Sequence, residues 1–260
     1  MVWLGFLGDG PKKKIDDGDM TLIFALNTGK ELYLASDGIG IPRKMEGKTE
    51  FNIIEKFMKV NNNVELLFSG ILELAQEYFH GVQQELWGVG CKDNEWSSFE
   101  IAKRLEKFIA PTYERLERMY SDRIYTPEIL KEYGSISAFL RKDWPLEIFI
   151  CGMDKDANGT LSNPQIHILN NNQKYISFKF KGKIALSGAP NVLKVAMPIF
   201  NENRFLNLFD STHDIKNEIC SGYSELIQKL KSECPNDMKV CIGGPIHIAR
   251  ISKEGYELLR

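Results

Sequence analysis

The chain has 260 residues, enough for one sizeable folded unit, and 43% hydrophobic and 11% aromatic residues with only 10 prolines exclude a disordered, collagen-like or low-complexity protein. With 33 basic residues against 35 acidic ones the net charge is -2, so there is no broad electrostatic attraction for nucleic acid or an anionic membrane, and any partner has to be recognised by a site. The five cysteines (Cys91, Cys151, Cys220, Cys234, Cys241) are scattered and outside any CxxC or metal-ligand spacing, which predicts reduced thiols and a cytoplasmic location. The longest apolar stretches, such as 146–151, fall far short of the ~20 residues that cross a bilayer. Residues 1–7 are apolar but lead into Gly8-Asp9-Gly10 rather than a cleavage site, which makes a poor signal peptide.

Residues 1–20 are expected to be an N-terminal extension, because 8–19 are polar, charged and glycine-rich. Residues 21–260 then form a single domain. Strand-like runs follow at 21–26, 31–36, 56–60 and 64–69, with Asn27-Thr28-Gly29-Lys30 closing the first pair and Asn61-Asn62-Asn63 the second, both turn chemistry. Ile71, Leu72, Leu74, Ala75, Phe79, Val82 and Leu86 recur at helical spacing, and Phe99, Ile101, Ala102, Leu105, Phe108 and Ile109 make a second helical face ended by Pro111. Pro127 reads as the first turn of a short helix within 121–142, a segment that looks inserted.

Strands are expected again at 146–151, 165–169, 174–180 and 183–187. A helix after Pro190, a helix carrying Ile215, Ile219, Tyr223, Leu226, Ile227 and Leu230, and strands at 238–242 and 246–251 complete the chain. Strands in blocks, rather than alternating with helices, predict mostly antiparallel sheets with helices layered outside, an α+β architecture. Asp154 to Gly159 opens like a calcium loop, but the twelfth position is Gln165, and a polar hairpin turn is expected. His80, His167, His213 and His247 share no ligand spacing, so neither a metal nor a cofactor is expected.

The stretches TLIFALNTGKELYLASD, KFMKVNNNVELLFSG, FICGMD, KIALSGAP and IGGPIHIARISKEG resemble the proteasome β-subunit and HslV family of N-terminal-nucleophile (Ntn) hydrolases, from Thr21 to near the C-terminus and most thinly between 88 and 144. The resemblance implies a four-layer αββα sandwich and a threonine-type peptidase working in an oligomeric ring. Thr21 stands sixteen residues before Asp37, and Lys56 fourteen before Gly70, the family's separations for nucleophile, aspartate, lysine and oxyanion-hole glycine. Ser187-Gly188 resembles the serine–glycine pair that closes the site, and Phe68 matches a position near the substrate side-chain pocket. Singly, Thr21 is an ordinary strand former, Asp37 a turn residue, Lys56 a solvated charge and Ser187 a helix cap. Their common register gives them weight.

What the resemblance implies chemically is specific. A threonine hydroxyl needs a base, and in this class the base is the threonine's own free α-amine. The amine's ordinary pKa is about 8, and a neighbouring lysine cation favours its neutral form. Asp37 would hold Lys56, the Gly70 N–H would stabilise the oxyanion, and Ser187 would support the site. The implied partners are copies of the chain or related subunits in a ring, a polypeptide substrate, and an ATP-dependent unfoldase.

The chain departs from the family pattern in two places. Met20, not glycine, precedes Thr21, so the active form would begin after a trimmed Met20; a persisting extension would give a non-catalytic structural or binding subunit instead. The Asp-x-x-Ser pair common before the last strands is not in the matching window 239–243. An Ntn amidohydrolase acting on a small amide is the remaining alternative.

Overall fold

A computed structural model describes residues 22–45, 48–53, 56–69, 72–88, 90, 96–109, 111, 127–135, 138, 147–170, 176–188, 190–233 and 244–260. The extension 1–20, Thr21, Gly70 and the strand expected at 238–242 lie outside these residues. The described elements are β1 (Leu22–Asn27), β2 (Leu32–Asp37), β3 (Ile39–Met45), β4 (Lys48–Ile53), β5 (Phe57–Lys59), β6 (Val64–Ser69), α1 (Leu72–Gly88), α2 (98–109), α3 (Pro127–Tyr133), β7 (Glu147–Lys155), β8 (Leu161–Asn170), β9 (Phe178–Lys179), β10 (Ile184–Gly188), α4 (Pro190–Ile199), α5 (Glu202–Phe205), α6 (Thr212–Glu233), β11 (Ile246–Ser252) and β12 (Gly255–Leu258). Among the described residues no helix is long and apolar enough to cross a membrane.

Two five-stranded antiparallel sheets result, sheet I in the order β10-β1-β2-β11-β12 and sheet II in the order β5-β6-β7-β8-β9. The strand-block pattern of the sequence is thus realised as a mixed α/β chain with antiparallel sheets. The turns form as their residues dictate. Gly29 takes φ 89°, a left-handed conformation that glycine adopts without penalty, and Asn27 Oδ1 accepts its N–H at 2.8 Å. At the β7–β8 turn, Asp156 Oδ1 accepts the N–H groups of Asn158 and Thr160, so the calcium-like stretch is a hairpin turn.

Two-residue alternation along each strand sorts the apolar side chains into three cores. Leu22, Phe24 and Leu26 of β1, with Tyr33 and Ala35 of β2, pack on Val192 and Ala196 of α4 and Ile215, Ile219, Tyr223 and Leu226 of α6. Their neighbours Ile23, Ala25, Leu32 and Leu34 face the other way, onto Phe57, Leu67, Phe149, Cys151, Ile166 and Ile168 of sheet II. The outer face of sheet II, through Met58, Leu66, Phe68, Ile148 and Ile150, meets Val82 and Leu86 of α1 and Ile101, Ala102, Leu105 and Ile109 of α2. One apolar interior lies between the sheets, and each sheet carries helices on its far side.

The structure corrects the expected elements in three places. A separate two-stranded sheet, β3–β4, occupies 39–53, a stretch the sequence pattern passes over because Pro42 and the charges of Arg43, Lys44, Lys48 and Glu50 break any strand alternation. The short strand β12, opened by Gly255 at φ 110°, extends the edge of sheet I through β11. Phe99, expected on the apolar face of α2, is half exposed. It stands at the helix start, where its N–H is held by Asp154 Oδ1 at 2.8 Å and its ring is tilted against that of His167, with 6.1 Å between ring centres.

Close approach of backbone makes one glycine on β7 irreplaceable. A Cβ on Gly152 would stand 2.5 Å from Asn63 O and 3.1 Å from Val64 Cα, both backbone atoms that cannot yield without breaking the β6–β7 register. Gly152→Ala is expected to lower the unfolding free energy by about 1–3 kcal/mol in chemical denaturation. An unchanged midpoint would contradict the tight β6–β7 approach.

Candidate functional site

The described site grows from the end of sheet I at which β1 begins and β2 ends. Asp37, the last residue of β2, is fully buried. Its Oδ1 accepts the Leu22 N–H at 3.0 Å and the Lys56 ammonium at 2.7 Å. Lys56 is 6% exposed and enters from the residue before β5, where its carbonyl accepts the Phe68 N–H at 3.0 Å. On the far side, the Tyr223 hydroxyl of α6 donates to Leu22 O at 3.2 Å. The first residue of β1 is therefore held at both its amide and its carbonyl. Leu22 is covalently next to Thr21, so the pair expected from the sequence meets where the chain leaves Thr21.

Burial sets the electrostatics. It pushes the Asp37 carboxyl above its ordinary pKa, against the attraction of Lys56 and the hydrogen bonds from Lys56 and Leu22, because an ion taken out of water loses more than its neighbours return. Burial likewise pushes the Tyr223 phenol up, and the Asp37 charge adds to it, so Tyr223 keeps its proton and remains a donor. Among the described residues Asp37 Oδ2 has no hydrogen-bond partner.

The other expected site residues are placed as follows. Ser187, on β10 opposite Ile23 of β1, is buried, and its parity with Ala185 turns it toward the space between the sheets. Phe68 is buried in the core between sheet II and the helices α1 and α2. Thr21 and Gly70 lie outside the described residues, as does the window 239–243. No group of three or more His, Cys, Asp or Glu able to hold a metal ion occurs among the described residues.

Sequence reading missed Glu147 and Asn170. Its one available signal was parity: Phe149 and Cys151 of β7 face the inter-sheet core, so the alternation puts Glu147 on that same face at the strand's first residue. His167 Nε2 lies 3.1 Å from Asp154 Oδ2, but Asp154 also takes the Ser98 hydroxyl and the Phe99 N–H, which makes it an anchor for the start of α2. Hydrogen bonds, chiefly from His167 and Ser98, hold its carboxyl below the ordinary pKa despite burial.

No family model and no curated protein matches the chain.

The buried pair gives a direct test. Lys56→Met leaves the Asp37 carboxylate buried without its cation and is expected to cost about 3–5 kcal/mol, whereas Asp37→Leu/Lys56→Met should recover most of that loss. The deficit of Lys56→Met should shrink as pH falls. The folded-state pKa of Asp37, already raised, rises further without Lys56, so protonation relieves the uncompensated charge. Equal losses in the single and double variants, measured by chemical denaturation from pH 4 to 8, would contradict the pairing.

Proposed function

We propose that the chain is a threonine-type peptidase of the proteasome-β and HslV kind, an Ntn hydrolase whose two sheets and outer helices make a four-layer αββα sandwich. The observation that carries this reading is the convergence of the Leu22 amide and the Lys56 ammonium on Asp37 Oδ1, at the end where β1 leaves Thr21. A buried lysine–aspartate pair beside the first residue of a strand has little use as a stabiliser, because desolvation offsets most of its attraction. Beside an α-amine it has a use: the cation disfavours protonation of the amine while the aspartate holds the cation in place.

In this reading a chain beginning at Thr21 attacks the scissile carbonyl with Oγ, and the hydroxyl proton passes to the α-amine. A new C–O bond forms and the carbonyl becomes an oxyanion, stabilised by the Gly70 N–H. The amine then gives its proton to the departing peptide nitrogen as the C–N bond breaks. Water releases the acyl group from Thr21, the amine again taking and returning a proton. Ser187 supports the nucleophile, and Phe68 restricts the pocket for the substrate side chain. Copies of the chain, or related subunits, would form the ring that admits polypeptide, with an ATP-dependent unfoldase feeding it.

Intact mass of the protein purified from its own host, combined with a fluorogenic peptide assay, tests this directly. The expected form begins at Thr21 and cleaves, and Thr21→Ala drops cleavage to background. Unaltered activity in Thr21→Ala would exclude Thr21 as nucleophile. A chain that retains Met20, forms rings and cleaves nothing is the non-catalytic subunit, while a monomer that hydrolyses only small amides is the amidohydrolase.

A further inference from the structure

We propose that Tyr223 is a positioning residue for the first residue of β1: from α6 its hydroxyl holds the Leu22 carbonyl while Asp37 holds the Leu22 amide, so that two side chains fix the place where β1 begins. Only the expected effect on turnover rests on the peptidase reading; the contacts do not. Tyr223 Oη donates to Leu22 O at 3.2 Å, Leu22 N donates to Asp37 Oδ1 at 3.0 Å, and the same Oδ1 takes the Lys56 ammonium at 2.7 Å. Leu22 and Tyr223 are both fully buried, in the core between sheet I and its helices.

Strand pairing leaves this position for side chains to fill. β1 and β2 run in register from Asn27 opposite Leu32 to Ile23 opposite Ser36, and Leu22 with Asp37 would be the next pair. In an antiparallel ladder a hydrogen-bonded pair exchanges both of its backbone bonds, one residue's N–H and C=O meeting the other's C=O and N–H. The pairing ends one residue short of this. The Asp37 carboxyl takes the Leu22 amide and the Tyr223 hydroxyl takes the Leu22 carbonyl, so the two polar atoms that the ladder would have matched are matched by side chains from β2 and α6. A buried carbonyl that loses a donor is costly, which gives the hydroxyl a definite job.

Tyr223 is itself held firmly enough to hold something else. Its ring meets that of Phe200 edge-on with 5.2 Å between centres, Phe200 stands 5.2 Å from Phe24 of β1, and Phe24 stands 5.6 Å from Phe205. The backbone beside it is just as tight, since a Cβ on Gly222 would come within 2.7 Å of the Phe200 ring. The phenol oxygen is therefore delivered to a fixed place by apolar packing. A phenylalanine would fill the same space in this core of Leu22, Ile219, Leu226 and their neighbours, so packing alone does not call for the hydroxyl. Burial and the Asp37 charge keep the phenol protonated, and so a donor.

The test compares Tyr223→Phe with Ile219→Val in the full chain, reading amide hydrogen exchange along β1 by NMR. Tyr223→Phe is expected to speed exchange at Leu22 about tenfold, while Ala25, deeper in the same strand, and Leu34 of β2 keep their rates. Ile219→Val removes packing one turn away on α6 and should show no such preference for Leu22. Equal acceleration at Leu22 and Ala25 in Tyr223→Phe, or none at Leu22, overturns the proposal. In a protein that cleaves, Tyr223→Phe should lower kcat about fivefold with KM unchanged, and a wild-type kcat overturns it. If the wild type cleaves nothing, the peptidase reading falls and the exchange rates alone decide whether Tyr223 holds Leu22. Should Tyr223→Phe fail to fold, the wild type serves: a Tyr223 hydroxyl proton protected from water and close to Leu22 in nuclear Overhauser spectra is expected, and a freely exchanging one overturns the proposal.

Discussion

The ion pair between Asp37 and Lys56 is the contact on which the rest of this end of the molecule depends. It joins the last residue of a central strand of sheet I to the residue that opens sheet II, so it adds a directional lock to two sheets whose interface is chiefly apolar. An apolar interface between sheets tolerates sliding far better than a 2.7 Å charge-assisted hydrogen bond does. The Leu22 amide on the same carboxyl oxygen adds β1 to the junction. Three segments that are distant in sequence are thereby held to one atom.

The apolar cores explain why such polar contacts concentrate at strand ends. Along the middle of β1, β2, β6 and β7 both faces are committed, one to the helices and the other to the opposite sheet, and no ion there could be hydrated. Only where the strands run out can a charge be buried and still meet a partner from the other sheet. Asp37 and Lys56 occupy such positions, and their contact anchors the sheets to one another there.

How much of this was legible in the sequence follows from what each feature depends on. The helical face from Ile215 to Leu230 and the turns at Gly29 and Asn61 are local patterns, and they fold as their spacing says. Asp37 and Lys56 carried a signal through their separations from Thr21 and Gly70, and their 2.7 Å contact joins positions that no local pattern links. Glu147 gave no signal of its own. It is the first residue of a strand, where a charged side chain is normally solvated, and its bond from Asn170 joins positions that no local pattern links. The β3–β4 pairing was illegible for the opposite reason, since Pro42 and four charges conceal any strand alternation.

The two ends of sheet I differ in how completely their polar groups are matched among the described residues. At the far end, before β2 begins, Glu31 receives Arg250 through two nitrogens and also the Tyr33 hydroxyl, which Thr212 contacts as well. Burial, with the Glu31 bond, pushes the Tyr33 pKa up to about 12, while the Arg250 hydrogen bond lowers that of Glu31. That network is closed and serves stability. At the near end, Ser36 Oγ, Asp37 Oδ2 and His247 Nε2 are buried without a hydrogen-bond partner among the described residues. Folded proteins leave few buried polar atoms unmatched, and each one costs stability. Two of them stand beside the ion pair and the third is the second oxygen of Asp37 itself, so among the described residues the polar groups of sheet I are matched far less completely at the near end than at the far end.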